Sequence, residues 1–152
     1  NLTSNTVPIS TYLSRYYINE NKYNEAEDLI KYSLKSNPND IISNELSLKV
    51  QINKQNYLEA LENSRDLFRK NPNNKVYANI YFNLLSSLFQ IVEFNTIFIN
   101  EISQNEDVHK YFYENYLKAT YDLNHLRKNL NQTIKIFPDN LYFNELYNQF
   151  LK

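Results

Sequence analysis

Apolar residues in this chain recur three or four positions apart over nearly its whole length, the spacing that gathers them on one face of an α-helix. Ile9, Leu13, Tyr16 and Tyr17 open the pattern behind Pro8, whose fixed φ suits a first helical turn, and predict a helix ending near Asn21. Leu29, Ile30 and Leu34 carry the next, with Asn24 as N-cap, Glu27 as its capping-box partner and a stop at Asn37-Pro38. The pattern then predicts helices over 41–54, 57–70, 75–90, 92–103, 108–121, 123–136 and 141–151, nine in all, after a polar leader at 1–6.

The helices fall into a repeat. Asn21-Lys22-Tyr23-Asn24-Glu25-Ala26 leading to Asn37-Pro38-Asn39 is echoed by Gln55-Asn56-Tyr57-Leu58-Glu59-Ala60 leading to Asn71-Pro72-Asn73. Tyr23 and Tyr57, Ala26 and Ala60, and Pro38 and Pro72 are each 34 residues apart. A fixed period of this size marks stacked supersecondary units, here helix pairs at about 7–40, 41–74, 75–106 and 107–140 with a capping helix at 141–152. Asn44-Glu45-Leu46 recurs as Asn144-Glu145-Leu146, an offset that needs a two-residue deletion in the third pair, placed near 103–107. Carried through the first helices, the register aligns Leu13, Ser47, Tyr81, Tyr113 and Tyr147, and Tyr17, Gln51, Leu85, Leu117 and Leu151. Ser47 and Gln51 interrupt these columns, and the neighbouring Leu48 and Ile52 suggest that the helix over 41–54 is rotated by one residue.

Tyrosine before each second helix, alanine early in it and proline at its end resemble the tetratricopeptide repeat (TPR). The match is clear over 7–74 and degenerate over 75–152, where Phe94 and Leu126 take the alanine site and the third pair lacks the proline. The resemblance implies an all-α fold, a right-handed α-solenoid of antiparallel helix pairs, and no chemistry: a scaffold or adaptor that binds a protein or peptide partner in a concave groove. On its register the groove shows Thr11, Glu45, Asn79, Tyr111 and Glu145 in one column, and Arg15, Lys49, Asn83, Asn115 and Gln149 in the next. Ile18, Ile52, Ser86 and Lys118 form a third. Arg15 and Lys49 suit an acidic side chain or a C-terminal carboxylate, with Asn83 and Asn115 on the partner's backbone. The set some family members use for chaperone tails is not carried over, since Thr11, Leu46, Val76 and Ile80 occupy several of its positions.

The stretch Val76 to Asn100 is apolar on more than one face. A central repeat is buried on two sides, which accounts for much of this. Any excess makes Tyr77, Phe82, Phe89, Phe94 and Phe98 a candidate apolar interface for a partner helix or a homodimer.

Composition narrows the function. Sixteen Lys and Arg against 17 Asp and Glu give a net charge of -1, which disfavours an RNA-reading helical repeat and nucleic acid in general. No glycine means no glycine-rich phosphate loop and no glycine-flanked serine elbow. No cysteine removes disulfides and thiolate sites, and His109 and His125 lie 16 residues apart, outside any metal-binding spacing. Acidic pairs such as Glu25 with Asp28 and Glu59 with Glu62 suit helix N-termini. No enzyme, cofactor or metal is expected. Left-handed helix ends, usually glycine, should fall to Asn.

The stretch 76–100 is too polar to span a membrane. Without an initiator Met or a signal-like start, the chain reads as a trimmed or mature piece. Its compartment is open between the cytoplasm and, if a signal or anchor was removed, the periplasm or envelope. An accessory role in a bacterial envelope or secretion assembly is the alternative to a free adaptor.

Overall fold

A computed structural model describes residues 8–120 and 122–151; the expected leader at 1–6 lies outside them. The described residues are all-α. Their helices are α1 Ile9–Asn19, α2 Tyr23–Ser36, α3 Ile41–Asn53, α4 Tyr57–Lys70 and α5 Lys75–Ser87, then α6 Ile91–Phe94, α7 Ile99–Ile102, α8 Glu106–Ala119, α9 Leu123–Ile136 and α10 Leu141–Leu151. Consecutive helices pack as pairs. The chain divides into two compact units, Asn1–Asn63 and Ser64–Lys152, with the division inside α4.

Three helix starts follow from the prolines that close the helices before them. Two residues beyond Pro38, Pro72 and Pro138 sit Asp40, Asn74 and Asn140, whose side chains accept from Ser43 N, from Val76 N and Tyr77 N, and from Phe143 N. The Asn-Glu-Leu echo is structural: Asn44 Nδ2 donates to the Pro38 and Asp40 carbonyls, and Asn144 Nδ2 to those of Pro138 and Asn140, all at 2.9–3.0 Å. Asn24 is not the cap expected of it. The helix starts two residues earlier than that cap implies, at Tyr23, and Glu27 turns to Lys31 and Lys54 instead. Hydrogen bonds from Lys31 and then Lys54 hold the Glu27 carboxyl below its usual range.

In the first unit, α1 packs on α2 and α3, and α2 on α3. Ile18, Ala26, Ile30, Leu46 and Val50 form the core, flanked by half-buried Tyr17, Tyr23, Leu34 and Ile42. Ala26 is fully buried, and its single methyl lets the helices approach closely. The α3 columns differ as its sequence suggests: Ser47 and Gln51 are half-buried where Tyr81 and Leu85 are buried one period later, although Leu48 and Val50 are buried as Phe82 and Leu84 are.

The second unit is cored by aromatic rings. Phe68 meets Tyr81 and Phe82, Phe82 stacks on Phe94 and meets Phe112 edge-on, and Phe112 stacks on Tyr116, with centroids 5.2–6.3 Å apart. Phe94 and Leu126, at the alanine site, are both buried in this core.

One predicted helix is two. The segment expected as a helix over 92–103 leaves helical geometry between α6 and α7, giving ten helices among the described residues where nine were expected. A polar stripe on α9 makes this tolerable by meeting the freed backbone groups. Ile97 O accepts from His125 Nε2 (2.9 Å) and Asn129 Nδ2 (3.1 Å), while Ile99 N donates to Asn129 Oδ1 (2.8 Å). Thr133 Oγ1, one turn on, donates to Asn100 Oδ1 (2.9 Å).

Candidate functional site

Each pair in the first three repeats turns through the same bond pattern. Lys22 N donates to Tyr17 O, Asn56 N to Gln51 O and Gln90 N to Leu85 O, while the residue before each donates to the carbonyl three back. This is a Schellman end, which puts the residue after the C-cap in left-handed geometry. Those residues are Asn21, Gln55 and Phe89, with φ of 59°, 61° and 52°. Asn fills one of the three, as expected. Gln and Phe fill the others, at the steric disadvantage any β-carbon has there.

Phe89 is 71% exposed, so no burial offsets its backbone strain. Beside it, Val92 is 82% exposed and Ile91 is exposed as well. The mount under these side chains is firm. Phe94 is buried, and Glu93 is gripped by Arg65 Nε (2.5 Å), an Arg65 terminal nitrogen (2.7 Å) and the Tyr81 hydroxyl (2.6 Å). Burial pushes the Glu93 carboxyl up, but Arg65 and Tyr81 outweigh it and leave it below the usual carboxylate range. Burial, and then the ionised Glu93, push the Tyr81 phenol up. The Glu93 charge is thus kept for structure and is a poor proton donor. A cleft of about 390 Å³ opens beside it, lined by Phe68, Arg69, Pro72, Thr96, Ile97 and Ile102.

The other expected interface aromatics lie elsewhere. Tyr77, Phe82 and Phe94 are buried, and Phe98 is half-buried with its ring edge-on to His125 at 5.0 Å. Packing in the core removes the first three from any docking surface.

The expected groove residues also divide by burial. In the first unit, Arg15, Glu45 and Lys49 are exposed, Ile52 is half-buried, and Thr11 and Ile18 are buried under neighbouring helices. Arg15 and Lys49 stand on packed helices, and neither is drawn into an ion pair among the described residues. In the second unit, Asn79, Asn83 and Lys118 are exposed and Tyr111 is half-buried. Asn115 is buried; its Nδ2 donates to Tyr111 O (2.8 Å), and its Oδ1 has no hydrogen-bond partner among the described residues.

His109 and His125 are both buried. His109 Nε2 donates to Ser103 O (2.9 Å), and its Nδ1 lies 3.0 Å from Thr133 Oγ1. Desolvation lowers the pKa of both imidazoles against the opposing pull of the Ser103 and Ile97 carbonyls, so both are neutral structural groups. No protein family, curated protein or solved structure matches this chain. Among the described residues no helix is long and apolar enough to cross a membrane. The spacing of His125, Asn129 and Thr133 at i, i+4 and i+8 was the available sign of the polar stripe, and the period of 34 was the sign of the strained turns.

Proposed function

We propose that this chain is a TPR-like, non-catalytic scaffold that binds a protein or peptide partner, and that the third turn is its principal contact. One observation carries this: Phe89, a strained and exposed aromatic beside Ile91 and Val92, stands where the first two repeats carry Asn21 and Gln55. Strain of this kind, unrewarded inside the fold, is kept where it serves a contact. Support for the TPR-like reading comes from the 34-residue period, the buried Ala26 and Ala60, and the shared turn geometry. Arg15 and Lys49 are a second, electrostatic contact for an acidic partner segment.

The test is capture of partners from native lysate on the immobilised chain and on Phe89→Asn with Val92→Asn. Asn accepts left-handed geometry, so the double variant should keep its helical circular dichroism and melting temperature while partner capture falls about tenfold or more. Undiminished capture by a folded double variant would overturn the assignment to this turn.

A further inference from the structure

The outward face of α1 is more apolar than its inward face. Inward, α1 buries Thr11, Ser14 and Ile18. Outward, Ile9 is 78% exposed, Tyr12 61% and Tyr16 55%, with Leu13 beside them, all at i, i+3, i+4 and i+7. A surface helix normally has the opposite arrangement. The Tyr16 ring rests against the ring of half-buried Tyr17 at 5.7 Å, which gives the face a backing in the core.

The repeat identifies what such a face is built to meet. One period on, Ile9, Tyr12 and Tyr16 correspond to Ser43, Leu46 and Val50 of α3, and these are buried. Leu46 and Val50 share a core with Ala26 and Ile30 of α2, the second helix of the pair before. The same positions are His109, Phe112 and Tyr116 in α8, all buried, and Phe143, Leu146 and Phe150 in α10, of which the first two are buried and Phe150 is half-buried. Only on α1, among these helices, do they stand open.

We propose that the α1 face of Ile9, Tyr12 and Tyr16 docks an amphipathic helix of a partner protein, seated as α2 is seated on α3. Its contact stripe is a small residue followed at four-residue steps by two branched apolar residues, the pattern of Ala26, Ile30 and Leu34. A second copy of this chain is a poor occupant. The matching faces of its second helices are used up, with Ala26, Ile30, Ala60, Leu126 and Leu130 all buried, and α10 exposes polar Glu145, Asn148 and Gln149.

The probe is a helix-locked peptide of residues 22–37, added to the isotope-labelled full chain and followed by amide chemical shifts. The expected result is shifts centred on Ile9, Tyr12 and Tyr16. Tyr12→Glu with Tyr16→Glu, both on solvent-facing sites, should keep the helical spectrum and weaken peptide binding at least about tenfold. Ala26→Phe in the peptide should weaken it equally, because bulk at the small position holds the helices apart. No shifts on α1, shifts centred elsewhere, or α1-mediated dimers that the peptide fails to dissociate would overturn the proposal. Mapping on the unmodified chain decides the matter even if the double variant is poorly folded.

Discussion

Phe89 and Gln55 hold the same backbone conformation as Asn21, yet only Asn pays little for it, since its short polar side chain tolerates left-handed geometry. Glycine at either site should therefore stabilise the chain. Gln55→Gly and Phe89→Gly are each expected to raise the unfolding free energy by about 1 kcal/mol, and Asn21→Gly by less, as read from urea titration at constant m-value. A loss of stability in Phe89→Gly would mean that the ring is held by contacts within the fold. These positions were half legible in the sequence. The absence of glycine pointed to other residues at the turns, but an aromatic at a left-handed position has no local signature, because nothing in the turn favours it.

The broken helix between α6 and α7 is the element where sequence reading and structure part. Val92, Phe94, Ile97 and Phe98 carry helical spacing, so periodicity alone predicts one helix. The interruption depends on polar side chains about 30 residues further on, in α9, which no local window contains. By contrast, α2, α3, α4 and α9 were read within a residue or two, because closing prolines and capping side chains are local signals. Asn129 is the main support of the break. Asn129→Leu should cost about 3 kcal/mol by leaving Ile99 N and Ile97 O short of partners, and the Ile99 amide should then exchange faster with solvent. Unchanged stability and exchange would contradict that role.

The stripe's His125, together with buried His109 of α8, sets a pH dependence. His109 and His125 have lowered folded-state pKa values, so the unfolded chain binds protons that the folded chain refuses. Their contribution is complete above the unfolded value of about 6.5 and is lost as pH falls through it toward their folded values. Denaturation series from about pH 7 to about pH 5 should show stability falling, with a shallower slope in His109→Gln plus His125→Gln. A flat profile would show that the imidazoles are solvated.

At the scale of the whole molecule, period, helix pairing and all-α class were legible, because they rest on spacings repeated along the chain. Which expected surface residues are truly at the surface was not. Thr11, Ile18, Asn115, Tyr77, Phe82 and Phe94 lie on faces that neighbouring helices cover, and coverage depends on which helices pack where. What stays exposed includes Arg15 with Lys49, the outward face of α1 and the third turn, together with Glu45, Asn79, Asn83 and Lys118.

The most direct test of partner binding through the third turn compares capture by Phe89→Asn with Val92→Asn against capture by Gln55→Asn, an equivalent change at the turn one period earlier. Partner yield should fall about tenfold for the first and stay level for the second, with both chains equally folded. Equal yields from the two chains would contradict the assignment.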